Sequence, residues 1–170
     1  MSKTLFVIAH PDLANSRANK AVLAAVATLP NVTVNNLYAK YPDFKIDVAA
    51  EQALLVAHDT IVLQFPFYWY ASPALLKEWV DTVWTFGFAF GANGTALQGK
   101  TLQLSITTGS PAAAYSPEGT NLYSLTELLR PFELTARLCK MEYEEVFAIN
   151  WAKRISEEEL NEQIKLKFLL

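Results

Sequence analysis

Groups that carry redox, metal or nucleophilic chemistry are scarce in this chain. Its 170 residues include one cysteine, Cys139, and two histidines, His10 and His58. A single thiol excludes an intrachain disulfide framework and a Cys-X-X-Cys redox pair. With only two imidazoles beside it, no Cys/His zinc site can be assembled within one chain. Basic charge is also sparse, with 14 Lys and Arg against 17 Asp and Glu and a net charge of -3. No basic run tracks a phosphate backbone, so nucleic acid is not an expected partner. Long apolar runs are missing too: Leu5 to Ala9 is too short for a signal-peptide core, and nothing approaches the roughly 18 residues that span a bilayer. The expectation is a soluble, cytoplasmic protein whose chemistry comes from something other than its own side chains.

The chain does hold apolar and aromatic mass, at 52% hydrophobic residues with 10 Phe, 7 Tyr and 4 Trp. The aromatics cluster between Phe65 and Phe90. Such a length fits one domain over residues 1–170, on a prior of roughly 100–200 residues per domain, and buries a core without staples. Leu5-Phe6-Val7-Ile8-Ala9 reads as a strand buried on both faces. Ser16 caps a predicted helix through Ala18, Val22, Ala25, Val26 and Leu29. Val32 to Leu37 is the second strand, Asp47 opens a helix through Val56, and Thr60 to Phe65 is the third strand. Pro73 opens a helix with Leu75, Leu76, Trp79, Val80, Val83 and Trp84 on one stripe. Thr101 to Ile106, a helix from about Leu122 to Cys139, a fifth strand from Glu144 to Ile149, and a last helix with a Ser156/Glu159 capping box complete the chain. This alternation predicts an α/β fold, a flavodoxin-like doubly wound parallel sheet of five strands in the order 2-1-3-4-5.

In such sheets ligands sit at the carboxyl ends of the strands, near the point where strand order reverses. Three loops occupy that position. The first, His10 to Asn19, lacks the glycine patterns of dinucleotide and triphosphate sites. It leads into a helix amino terminus, where free N–H groups suit an anion, and Ser16, Asn19, His10 or Arg17 add donors or charge. An ordinary helix cap is the alternative. The second, Gln64 to Pro73, carries Phe67, Tyr68, Trp69 and Tyr70, which suit the face of a planar ligand; core packing or a subunit interface is the alternative. The third, Thr107-Thr108-Gly109-Ser110 on to Tyr115, offers hydroxyls and a close backbone approach at Gly109.

Together these segments resemble a known family. His10-Pro11 with Ser16 and Asn19, Tyr41-Pro42-Asp43-Phe44, Phe65-Pro66-Phe67-Tyr68-Trp69-Tyr70 through Pro73 to Lys77 and Trp79, Gly87-Phe88-Ala89-Phe90, and Thr107-Thr108-Gly109 are similar to the flavodoxin-like NAD(P)H:quinone oxidoreductases. The Tyr-Pro-Asp-Phe segment resembles most the bacterial branch that includes ancillary proteins of glutathione-gated potassium efflux. The resemblance implies a bound flavin, FMN by the nearest branch, with FAD as the alternative, and NAD(P)H as co-substrate. Carried over by position, His10 and Ser16, Arg17, Ala18 and Asn19 would hold the flavin phosphate. Phe67, Tyr68, Trp69 and Tyr70 would flank the ring, and Thr107, Thr108, Gly109 and Ser110 would meet its pyrimidine side. Tyr115 matches a tyrosine that assists hydride transfer in animal members, but Asn121 stands where their histidine lies, so the resemblance does not extend to a histidine-dependent proton relay.

The implied function is ping-pong transfer of a hydride from NAD(P)H through flavin N5 to a quinone or similar acceptor. Tyr115 and the backbone at Trp69 and Gly109 are the catalytic candidates. Two other functions stay open: an ancillary subunit docked on a potassium/proton antiporter at the inner face of the membrane, and a flavodoxin-like electron carrier, which would call for a more acidic surface than -3. A homodimer is implied by the resemblance. Trp79, Trp84, Phe86, Phe88 and Phe90 also exceed what one helix and loop easily bury, which points to an interface, with core packing as the alternative.

Overall fold

The computed structural model describes residues 2–169. Strands β1 (Thr4–Ile8), β2 (Val32–Asn36), β3 (Thr60–Pro66) and β4 (Thr101–Thr107) pair in parallel in the order β2-β1-β3-β4. The next position on the sheet is shared by two short strands, β5 (Glu142–Tyr143) and β6 (Phe147–Ile149), both parallel to β4. The fold is therefore flavodoxin-like, with the expected order 2-1-3-4-5 and a sixth strand continuing the edge. The expected single fifth strand is broken because Tyr143 pairs with Leu102 and Phe147 with Ser105, so three residues of the edge oppose two of β4. This bulge swings the edge, and Glu144 accepts a hydrogen bond from Gln103 Nε2 at 2.8 Å inside it.

Helices cover both faces. On one, α1 (Arg17–Val26) and α7 (Glu157–Ile164) bury Ala18, Val22, Val26, Leu160 and Ile164 against Phe6, Val62 and Ile149. On the other, α3 (Val48–Ala57), α4 (Ala74–Val83) and α6 (Arg130–Leu138) pack over Leu5, Val7, Ile61, Leu63, Phe65, Leu102, Leu104 and Ile106. Among the described residues no helix is long and apolar enough to cross a membrane.

Five local expectations are corrected. Leu37 starts a short helix, α2 (Leu37–Lys40), capped by Asn36 Oδ1, instead of ending β2. The first helix stops at Val26, before Leu29. The helix expected from Leu122 begins at Leu125, because Leu122 is left-handed at φ 61° and Ser124 with Glu127 forms a full capping box. It also divides at Leu129 into α5 (Leu125–Leu128) and α6, since Pro131 has no N–H to continue the ladder. At α7 the Ser156 hydroxyl accepts the Glu159 N–H at 3.1 Å, but the reciprocal half of that box is not formed.

The aromatic surplus is mostly core. Trp79 and Trp84 are buried edge to face, and Phe88 and Phe90 pack on the same core. Of the five aromatics expected at an interface, only Phe86 stands out, at 73% exposure.

Candidate functional site

β1, β3 and β4 end in register, Ile8 beside Gln64 and Pro66 beside Thr107, so the three loops leave the sheet at one edge. The first loop turns through Leu13–Asn15 and enters α1 at Ser16. Ser16 makes no side-chain cap to the helix backbone; its hydroxyl instead accepts from Asn19 Nδ2 at 2.9 Å. Among the described residues the N–H groups of Arg17, Ala18 and Asn19 find no acceptor, and they sit at the positive end of the helix dipole.

Side chains expected at that anion site are partly committed elsewhere. The Arg17 guanidinium donates to the carbonyls of Ala152 and Ile155. The Asn19 carboxamide is buried and bonds Ser16, Thr107 Oγ1 at 3.0 Å and Gln64. What these two residues offer an anion is backbone N–H. His10 is buried, and its Nδ1 accepts the Asp12 N–H at 3.0 Å, which leaves Nε2 as the protonated donor of the neutral ring. Burial pulls the His10 imidazole below its ordinary value, against the opposing pull of Asp12. The ring is neutral at pH 7 and serves as a hydrogen-bond donor without charge.

The second loop stores strain. Trp69 and Tyr70 have φ of 49° and 60°, and the Ala71 N–H closes on Tyr68 O at 2.9 Å, the pattern of a primed hairpin turn. Bulky aromatics are poor residues for such φ values, which cost on the order of 1–2 kcal/mol each. Trp69 is 93% exposed, so no core contact explains the conformation. Its consequence is that the Trp69 and Tyr70 N–H groups are unbonded and that two flat faces stand at the sheet edge. Phe67, expected with them at the ligand face, is the least exposed of the four, edge to face with Tyr70 and tilted against Tyr115.

In the third loop Thr108 is buried, and its hydroxyl donates to Ser110 O at 2.8 Å and lies 3.0 Å from the Asn150 side chain. Among the described residues the Gly109 and Ser110 N–H groups and the Tyr115 hydroxyl find no hydrogen-bond partner. A cleft of about 450 Å³ is lined by Phe67, Tyr68, Trp69, Tyr70, Gly109, Ser110, Tyr115 and Asn121. Asn121 joins the cleft through Tyr70, whose hydroxyl donates to Asn121 Oδ1 at 3.3 Å. No carboxylate, imidazole or amine lines this cleft. Sequence reasoning missed Gln64 and the Asn150 to Ile155 turn. A glutamine inside the apolar run of a central strand was the available signal for the first; nothing local marked the second.

Open backbone donors for an anion, flat aromatic faces and a row of N–H groups at a cleft edge define a site of the flavodoxin-like class. A family model described as the flavodoxin-like fold matches residues 2–168, and the chain belongs to that family. The glutathione-regulated potassium-efflux system ancillary protein KefG of Cronobacter sakazakii is 53% identical over 159 residues, 94% of this chain and 86% of the relative. Among solved structures, general stress protein 14 of Treponema denticola in complex with FMN is 43% identical with a TM-score of 0.90, over 96% of this chain and 94% of that one. An NADPH-quinone reductase from P. pentosaceus is 36% identical with a TM-score of 0.89, over 96% and 94%. A chain named as a thermophilic tryptophan halogenase from Streptomycin violaceusniger is 39% identical with a TM-score of 0.93, over 98% of each. The names differ in activity; near end-to-end overlap of the fold is common to the three solved structures.

Proposed function

We propose that this protein is an FMN-dependent NAD(P)H:quinone oxidoreductase, working as one flavin-binding unit over residues 1–170. The observation that carries the reading is the convergence, at one sheet edge, of the open first turn of α1 and the strained aromatic turn facing Gly109. The residues fit a flavin mononucleotide: they supply an anion site, a planar wall and a line of donors at one sheet edge. In this reading the Arg17, Ala18 and Asn19 N–H groups, with Ser16 and neutral His10, hold the phosphate. Phe67 to Tyr70 flank the ring, and Thr107 to Ser110 meet its polar edge.

A bound flavin supplies two-electron acceptance from NAD(P)H and donation to a quinone. The chain's own groups bind, orient and stabilise. The N–H groups of Trp69, Tyr70 and Gly109 are fixed donors for negative charge at the ring edge, and the Tyr115 hydroxyl adds a fourth hydrogen-bonding group at the mouth beside Asn121. One small cleft serves donor and acceptor in turn, which predicts ping-pong kinetics. Parallel double-reciprocal lines support this and intersecting lines contradict it. Mass spectrometry of the cofactor released by heat separates FMN from FAD.

The 53% identical relative favours a second role, as an ancillary subunit of a glutathione-regulated potassium-efflux system, held peripherally at the membrane. Co-purification with such a transporter supports that role, and full quinone turnover unaffected by the transporter weakens it. A homodimer is part of the same proposal, with exposed Phe86 and Trp69 as the surface it would cover. Light scattering at micromolar concentration should give twice the chain mass; the chain mass itself would refute the dimer.

A further inference from the structure

We propose that Gln64 is a positioning residue that keeps the amino terminus of α1 open to a phosphate. The proposal rests on the flavin-phosphate reading above and names a device behind it.

Gln64 is fully buried on β3, between β1 and β4, where parallel sheets normally place an aliphatic residue. Its Nε2 donates to Asn19 Oδ1. That bond fixes which way the Asn19 carboxamide faces. With Oδ1 taken by Gln64, Nδ2 must point to Thr107 Oγ1 at 3.0 Å and to Ser16 Oγ at 2.9 Å. One lone pair of the Ser16 oxygen is thereby held from the side, its hydroxyl is turned away from the α1 backbone, and it makes no cap to the helix.

Serine at this position ordinarily accepts the N–H of the second or third helical residue. Here that self-capping would consume the donors that a phosphate needs. If Gln64 cannot donate, Asn19 is free to rotate its amide by half a turn and present Oδ1 to the Ser16 hydroxyl. Ser16 then donates to Asn19, its lone pairs turn to the α1 backbone, and the anion site closes on itself. Gln64 thus acts through Asn19 and Ser16 and touches no ligand.

The test compares FMN with riboflavin, which lacks the phosphate, by titrating the flavin-stripped full-length protein and following fluorescence quenching. Wild type should prefer FMN by about a hundredfold or more, the worth of two or more charge-assisted hydrogen bonds. Gln64→Leu should lower that preference about tenfold. Its riboflavin affinity should hold, while its melting temperature should fall by a few degrees, because one end of the buried Asn19 carboxamide is left facing an apolar side chain. Gln64→Glu should lose the preference at high pH, where the carboxyl is ionised and only accepts, and keep it at low pH, where the buried, protonated carboxyl donates to Asn19 as glutamine does. Ser105→Ala is the control: Ser105 lies beside Gln64 on β4 with an unpartnered hydroxyl, and its loss should leave the preference unchanged.

An unchanged FMN preference in Gln64→Leu overturns the proposal while the phosphate reading stands. Equal loss of FMN and riboflavin affinity also overturns it, since that marks a structural role alone. If Gln64→Leu does not fold, Gln64→Met and Gln64→Glu are judged by the same ratio. A wild type with no preference for FMN overturns the phosphate reading itself, and the role of Gln64 with it.

Discussion

His10 illustrates how one side chain reports on its surroundings. Its neighbour Asp12 would raise its affinity for a proton, but burial wins and lowers it. The unfolded chain therefore takes up a proton near the ordinary value of 6.5, and the folded chain resists it until lower pH. Where the unfolded state binds more protons, stability rises with pH, so the fold is penalised as pH falls below that value. Urea midpoints at about pH 7 and about pH 5.5 should differ less in His10→Asn than in wild type. Equal pH dependence in the two would remove His10 as the cause. Cys139 is the opposite case, since burial pushes its thiol up to about 11, as fits a packed and unreactive residue. Both histidine and cysteine were identifiable in the sequence by their rarity. The burial of Cys139 was legible too, from its place on a helix beside Leu138 and Met141, whereas that of His10 was not, because it depends on contacts such as Tyr68 that are remote in sequence.

The Trp69–Tyr70 turn is the clearest conflict between local preference and structure at the level of elements. Asn-Gly is the favoured pair for two consecutive left-handed residues, so the double change Trp69→Asn, Tyr70→Gly should raise the stability of the flavin-free protein by about 1–2 kcal/mol. The same change removes two flat faces and should weaken flavin binding. A variant that is destabilised, or that binds flavin as well as wild type, contradicts the assignment of strain to function. A second element-level feature is the carboxylate of Glu51 on α3, fully buried and bonded by Asn35 Nδ2, Lys40 Nζ, Tyr41 OH and Trp79 Nε1 at 2.6–2.8 Å. It ties β2, α2 and α4 together on the face that carries the aromatic turn. Glu51→Ala leaves the three buried donors of Asn35, Tyr41 and Trp79 unsatisfied and should cost about 3 kcal/mol or more in denaturant unfolding. A loss below about 1 kcal/mol would mean that water replaces the carboxylate.

Apolar periodicity made the central strands and the helices α1, α3, α4 and α7 legible, with ends displaced by a few residues. The broken edge strand and the α5/α6 division were not, although their causes are plain once seen. A bulge adds one residue without altering composition. Pro131 and Ser124 sit inside a run whose apolar spacing still looks continuous. The capping residue Ser156 was recognised and Ser124 passed over, yet Ser124 is the one that forms the complete box. At the site, the loops and their order were readable from the strand ends. The internal brace of Asn19, Gln64 and Thr107 joins residues up to 88 apart in sequence and has no local signature.

For the molecule as a whole, the poverty of catalytic side chains and the wealth of backbone donors belong together. The cleft holds aromatic faces, amide N–H groups and a tyrosine hydroxyl, which can orient and stabilise a redox group but cannot carry electrons alone. The proposed function therefore depends on a bound flavin. The most direct measurement is the visible absorption spectrum of the purified or FMN-reconstituted protein, followed by anaerobic addition of NADPH. The account predicts the absorption band of an oxidised flavin and its bleaching by NADPH, with recovery on adding a quinone. A colourless protein that takes up no added FMN would contradict it.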